Sequence, residues 1–100
     1  MSKPFYAEYA NHAMRFYARH SDCKPAAGQS SDLAMWEACA NASKRFTAHD
    51  NAVILAVYRS KCRINEAVEC ISKELRIPEN KIWKLINQFS KVFAKERGLI

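Results

Sequence analysis

Residues 68–87 read VECISKELRIPENKIWKLIN, and this stretch decides the fold that we expect. Proline restricts the residue before it away from helical angles, so Pro78 should end one helix and allow another to begin. Apolar residues recur on both sides of this break, at the spacing that holds the two helices of a helix-turn-helix at a steep angle. These positions are Ile71 and Leu75 on the inner face of the first helix, Ile77 in the turn, and Ile82 and Leu85 under the second helix. The stretch therefore predicts a helix-turn-helix.

The turn of such a unit has two usual requirements. A small residue commonly follows the first apolar position, and Ser72 meets that requirement. A glycine commonly opens the turn, but Arg76 stands there. We therefore expect either a strained left-handed residue at Arg76 or a turn of different shape imposed by Ile77 and Pro78.

The second helix of this unit is expected over residues 79–97, with Gly98 as its C-terminal stop. Its inward positions are Ile82, Leu85, Ile86, Phe89, Val92 and Phe93. The opposite face is lined by Asn80, Lys81, Lys84, Asn87, Gln88, Lys91 and Lys95. Only Glu79 and Glu96 are acidic on this helix. Trp83 lies between the two faces and is expected to pack against a neighbouring helix, with contact to a sugar or base as the alternative.

This polar face has the side chains that read duplex DNA. Asparagine and glutamine pair with adenine edges, lysine pairs with guanine edges or phosphate, and the helix N-terminus enters the major groove. We expect base or near-base contacts from Glu79, Asn80, Lys81 and Lys84. Asn87 belongs to the same DNA-binding face, and Gln88, Lys91 and Lys95 are expected at the groove wall or backbone. Lys73 and Arg76, with the N-terminus of the preceding helix, are expected to hold phosphates. The alternative is a surface helix whose lysines serve solubility.

Most of the chain also resembles a known family. Residues 50–100, DNAVILAVYRSKCRINEAVECISKELRIPENKIWKLINQFSKVFAKERGLI, resemble small helix-turn-helix proteins of Firmicutes phages and integrative mobile elements, which are similar in layout to region four of bacterial sigma factors. Residues 4–20, PFYAEYANHAMRFYARH, are similar to the opening of such proteins. The resemblance implies a transcriptional regulator or a mobile-element maintenance protein without enzyme activity. RNA polymerase and a second copy of the chain are further candidate partners.

Composition supports an all-α fold. The chain has 100 residues, of which 49% are hydrophobic, and only 2 glycines and 3 prolines. We expect a single compact domain of about five helices, with an N-terminal helical pair in residues 1–47 and the helix-turn-helix unit in residues 48–100. Of the net charge of +6, residues 1–50 contribute +1 (six basic against five acidic residues) and residues 51–100 contribute +5 (ten against five). A polyanion such as nucleic acid would be drawn to the second half.

Two helices are expected in the N-terminal pair. The first runs from Pro4 to about Arg19, and its aromatic residues are expected to form a core face, with stacking on unpaired bases as the alternative. These residues are Phe5, Tyr6, Tyr9, Phe16 and Tyr17. A loop follows over residues 21–31. The second helix, capped by Ser31 or Asp32, then runs to about Phe46. Its expected inward residues are Leu33, Trp36, Ala40 and Ser43.

Two more helices complete the expected bundle. Thr47 and Asp50 read as a capping box that opens a third helix, ending near Ser60. Its expected core residues are Val53, Ile54, Val57 and Tyr58. His49 is expected to be exposed in its first turn. A basic link over residues 59–63 follows, and Asn65 is expected to cap a fourth helix over residues 66–75.

The remaining function classes are disfavoured. No histidine, carboxylate and nucleophile are grouped at a catalytic spacing and no glycine-rich phosphate loop occurs, so we expect neither an enzyme nor a cofactor. The cysteines at 23, 39, 62 and 70 form no Cys-x-x-Cys pair and match no common zinc pattern, although His20 and Cys23 could form half a site. Without an apolar run long enough for export or a membrane span, the chain is expected to be soluble and cytoplasmic.

The main alternative function is a protein-interaction or dimerisation module that does not bind DNA. It would use the aromatic first helix and the inner face of the last one.

Overall fold

Five α-helices make up most of the described chain, which comprises residues 5–20, 30–60 and 62–100 of the computed structural model. The helices are α1 (Ala7–Arg19), α2 (Ser30–Ser43), α3 (Ala48–Arg59), α4 (Ile64–Leu75) and α5 (Glu79–Glu96), and these ranges contain no strand. The all-α prediction is confirmed. The radius of gyration is 13.1 Å, about what a compact domain of this length has. No helix in the described ranges is long and apolar enough to cross a membrane.

Helix α5 is the central element of the fold, because it packs against each of the other four helices. Phe89 and Phe93 on its inner face are buried. The ring of Phe89 stacks on Phe46 with centroids 5.5 Å apart, and the ring of Phe93 meets the ring of Tyr9 edge-on at 5.6 Å. One hydrophobic core is built from all five helices around this one.

Helix α3 follows the sequence prediction closely. It begins after Thr47, whose hydroxyl accepts a hydrogen bond from the Asp50 N–H at 3.1 Å. This is the first of the two bonds of the expected capping box. The four expected core residues are all buried, and His49 is exposed. The spacing of apolar residues therefore identified the inner face of α3.

Helix α1 starts later than expected, at Ala7, and Pro4 lies outside the described residues. Phe5 precedes the helix and is 77% exposed. The other four aromatic residues of this segment are partly buried against the core, so for them the core-face prediction is confirmed. The residues that α1 buries most completely are Ala10, Ala13, Met14 and Ala18.

Both predicted ends of α2 are wrong. The helix already includes Ser30, so Ser31 and Asp32 lie inside it and neither is its cap. It ends at Ser43, because the chain turns through residues 44–46 before Thr47 opens α3. Of the expected loop, residues 21–29 lie outside the described residues and the last two are helical.

The predicted inner face of α2 is also wrong. Its buried residues are Met35, Ala38, Cys39 and Ala42. The expected residues Leu33, Trp36, Ala40 and Ser43 are only half-buried. Apolar and small residues surround this helix on all sides, so their spacing does not select one face. Which face is buried depends on how α1 and α5 pack against it.

Candidate nucleic-acid interface

The turn between α4 and α5 is closed by a left-handed residue at Arg76, with φ 57° and ψ 42°. The N–H groups of Arg76 and Ile77 both donate to the Ser72 carbonyl, and the Ile77 bond is 3.1 Å long. The Ser72 hydroxyl donates in turn to the Ile77 carbonyl. Of the two expected turn shapes, the first is therefore the one adopted. Ser72 therefore contributes a side-chain hydrogen bond to this turn in addition to its small size.

Helix α5 begins directly after this turn. Pro78 occupies its N-cap, and the Pro78 carbonyl accepts from the N–H groups of Lys81 and Ile82 at 3.0 and 3.3 Å. Helix α4 starts after Arg63 rather than at Glu66, so the prediction that Asn65 caps it is wrong. Arg63 has the extended backbone of a cap, and Asn65 already lies in the first helical turn. The predicted break at Pro78 is confirmed.

The apolar skeleton of this unit is present except at Leu75. Ile82 and Leu85 are buried, and Ile71 and Ile77 are partly buried against the core. Leu75, predicted on the inner face, is 45% exposed. The buried residues of α4 are Ala67 and Val68 in its first half, so its last turn projects beyond the core.

The end of α4, the turn and the start of α5 form an exposed corner of the molecule. Residues 73–76 and 78–81 are all exposed, and only Ile77 between them is half-buried. This corner contains five of the residues predicted to contact DNA, namely Lys73, Arg76, Glu79, Asn80 and Lys81. The N-terminal turn of α5 is therefore accessible from outside.

The other five predicted contact residues continue from this corner along α5. Lys84, Asn87, Gln88, Lys91 and Lys95 are all exposed. We call Asn80, Lys81, Lys84, Asn87, Gln88, Lys91 and Lys95 together the α5 polar strip. From Asn80 to Lys95 it is about 22 Å long, at 1.5 Å per residue. The predicted inner face of the same helix is buried, with Val92 half-buried.

Trp83 lies at the border of the α5 polar strip. It is half-buried and packs against the core, as predicted. It also lines an open depression of about 450 Å³ together with Asn80, Lys84, Asn87, Gln88 and Lys91. Part of the indole is therefore available to a molecule that lies on the strip.

The charged residues of the α5 polar strip are all positive. Its four lysines have no acidic residue among them between Asn80 and Lys95. Glu96, just beyond the strip, pairs with Arg45 at 3.4 Å. Lys73 pairs with Glu69 at 3.3 Å, one turn earlier on α4. Exposed ion pairs contribute only about 0.2–1 kcal/mol, so Lys73 can exchange this partner for a phosphate at little cost.

Sequence reasoning missed Arg63 as a candidate contact. It is exposed at the N-cap of α4, where the first helical N–H groups favour an anion. The basic link that contains it was the available signal. Within that link, Arg59 has a structural partner, since its Nε donates to the Ala18 carbonyl at 3.1 Å. Lys61 lies outside the described residues.

None of the four cysteines belongs to the residues predicted to contact DNA. Cys39 is fully buried, and burial raises the pKa of its thiol to about 12. Cys62 and Cys70 are exposed free thiols. Cys23, which could form half a metal site with His20, lies outside the described residues. The described part of the chain contains no group of three or more histidine, cysteine or acidic residues that could hold a metal ion.

Comparison of the chain with protein-family models, with curated proteins and with solved structures finds no match. A function is therefore inferred from the geometry and charge of the exposed corner and the α5 polar strip.

Proposed function

We propose that this chain is a sequence-specific double-stranded DNA-binding protein in which α4, the turn and α5 act as a helix-turn-helix. The main support is the two-sided character of α5. Its inner face lies in the core, while the α5 polar strip is exposed along its whole length. A helix held in this way presents its lysine and amide groups together on one exposed face.

The dimensions of α5 suit the major groove. A helix with its side chains is about 10–12 Å across, and the major groove of B-DNA is about 12 Å wide. The exposed corner leaves the first turn of α5 free to enter, so Asn80, Lys81 and Lys84 contact base edges, with Glu79 beside them. Gln88, Lys91 and Lys95 follow the groove wall.

The phosphates on either side of the groove are held by the cations around the helix ends. Lys73 and Arg76 are exposed on the corner, and Arg63 is exposed at the N-terminus of α4. Phosphate contacts fix the position of a protein on the duplex, whereas base contacts supply the sequence preference.

A role in transcription or in mobile-element maintenance is the biological setting in which such binding is expected.

An interaction module without DNA binding is less well supported. The surfaces that it would use already contribute to the chain's own core, since the α1 aromatics from Tyr6 onward are partly buried against it and the inner face of α5 is buried. Among the large apolar side chains described, those left exposed are Phe5, Leu75 and Ile100.

The test is duplex binding measured over a range of salt concentrations. The double variant Lys81→Ala and Lys84→Ala is expected to lower the affinity for a selected duplex by tenfold or more, on the order of 1–3 kcal/mol for each lost base contact. Circular dichroism should show unchanged helix content, because both side chains are exposed.

A matched control is the double variant Arg19→Ala and Lys44→Ala, which removes two exposed positive charges that are not members of the α5 polar strip. It is expected to retain most of the affinity. An equal loss in both double variants would mean that only net charge attracts DNA, and unchanged binding in the Lys81 and Lys84 variant would refute the assignment of α5.

A further inference from the structure

A small cavity lies inside the bundle, on the core side of α5. Its volume is about 100 Å³, and it is partly open to solvent. Met14, Ile54, Leu55 and Phe89 supply apolar walls from α1, α3 and α5, and Ser43 and Asn51 supply polar ones. Protein interiors rarely contain voids larger than a water molecule, so a space of this size is a candidate binding site.

The size of the cavity limits what it can hold. An apolar cavity of about 150 Å³ accommodates a benzene molecule. At about 100 Å³ this cavity is smaller, so a single ring fits only if part of it lies in the opening to solvent, and a fused two-ring molecule is too large. The rings of Tyr17, Tyr58 and Phe89 also line it, and aromatic rings favour edge-on or offset contact with another ring.

Asn51 supplies a hydrogen-bond acceptor at the wall of the cavity. Its Nδ2 donates to the carbonyls of Ser43 at 2.9 Å and Phe46 at 3.4 Å, which fixes the orientation of the amide. Its Oδ1 accepts no hydrogen bond from the described residues. A ligand that carries a donor can therefore satisfy this oxygen.

Of the three hydroxyl groups on the lining residues, those of Tyr58 and Ser43 already donate to protein oxygens. The Tyr58 hydroxyl donates to Asn11 Oδ1 at 2.7 Å, and the Ser43 hydroxyl donates to the Ala40 carbonyl at 2.7 Å. These two hydroxyl groups therefore cannot donate to a ligand, whereas Asn51 Oδ1 can accept a hydrogen bond from one. A ligand that donates a hydrogen bond suits this side of the cavity.

We propose that this cavity binds a one-ring aromatic molecule with a hydrogen-bond donor, of the phenol class, whose hydroxyl donates to Asn51 Oδ1. The ring lies between Phe89 and Leu55. The proposal does not depend on DNA binding, since it uses the core side of α5.

The test is a titration of the full chain with phenol, followed by two-dimensional NMR. Phenol is expected to shift the Asn51 side-chain amide signals in a saturable way and to give nuclear Overhauser contacts with the methyl groups of Met14 and Leu55. Toluene, which lacks the donor, should bind more weakly, and 2-naphthol should not produce these contacts.

A filling variant provides the second measurement. Leu55→Phe is expected to weaken phenol binding at least about tenfold, because the larger side chain occupies the space. Leu33→Phe is the matched control, since Leu33 is half-buried on α2 and does not line the cavity. Absence of saturable shifts at millimolar phenol, contacts to other methyl groups, or equal affinity for toluene would each overturn the proposal, whether or not Leu55→Phe folds.

Discussion

At the scale of single residues, Arg76 is the clearest case of a side chain in a backbone conformation that does not suit it. The left-handed region costs a residue with a Cβ about 1 kcal/mol relative to glycine. Arg76→Gly is therefore expected to raise the free energy of unfolding by about 1 kcal/mol, measured by urea denaturation.

Two further variants test whether the left-handed backbone is the cause of this difference in stability. Arg76→Ala keeps the Cβ and should change stability by only a few tenths of a kcal/mol. Gly98 has the same backbone character at the end of α5, with φ 78°, so Gly98→Ala should lower stability by about 1 kcal/mol. A less stable Arg76→Gly variant would show that the arginine side chain makes a stabilising contact.

Cys39 should make the fold sensitive to alkali. Burial raises the pKa of this thiol from 9.0 to about 12, so the folded state keeps a proton that the unfolded state loses. The stabilisation of the folded state by the protonated Cys39 thiol is fully present below pH 9, and it is lost as the pH rises towards the pKa of the folded state. Between about pH 8 and pH 10, the free energy of unfolding is expected to fall by about 1 kcal/mol less in the Cys39→Ala variant than in the wild type.

Unfolding in urea with a reducing agent, repeated across this pH range, measures the effect. Burial also raises the pKa of Tyr58, so some alkaline destabilisation should persist in the variant. Cys62→Ala is the matched control, because it removes an exposed thiol instead of the buried one. Identical pH profiles for Cys39→Ala and the wild type would contradict the expectation.

At the scale of the helices, the two ends of the α5 polar strip should contribute differently to DNA binding. Lys91 and Lys95 lie far from the N-terminal turn and are assigned to the backbone. Each phosphate contact contributes about 0.9 to the slope of log affinity against log salt concentration. The Lys91→Ala and Lys95→Ala double variant should therefore reduce that slope by about 2 and weaken all duplexes alike.

Asn80→Ala provides the contrast within the same helix. It removes an amide from the first turn of α5 and leaves the charge unchanged, so the salt slope should stay the same. The preference among selected duplexes should become weaker at one position, by about 1–3 kcal/mol. A changed slope in Asn80→Ala, or a changed sequence preference in the lysine variant, would reverse the assigned roles.

The success of the sequence predictions differed between helices for physical reasons. On α5, apolar and polar residues separate cleanly, so its inner face and its exposed residues could be predicted. On α2, apolar residues occur all round, and packing decides which are buried. Leu75 has helical spacing typical of a core residue, but the last turn of α4 projects beyond the core, which the spacing does not show. The cavity could not be predicted, because it depends on how four helices meet.

At the scale of the whole molecule, the core is organised around α5, which packs against each of the other four helices. Phe93 is fully buried and contacts Tyr9 of α1. Phe93→Ala is expected to cost about 3–5 kcal/mol, because it leaves a cavity in the one core that all five helices share. Far-UV circular dichroism and tryptophan fluorescence should report the same, lower unfolding midpoint.

Phe5→Ala is the matched control, since Phe5 is 77% exposed, and it should change stability by no more than about 0.5 kcal/mol. Separate transitions in the two signals would contradict a single cooperative core.

The two sides of α5 differ, since one is buried in the core and the other is exposed. This difference determines which substitutions the helix can accept. Substitutions at the seven outward positions leave the buried phenylalanines untouched, so under the proposed function they are expected to alter what the helix recognises without endangering folding. A library randomised at those seven positions alone should consist largely of folded members. This chain is therefore a suitable scaffold from which to select new recognition preferences.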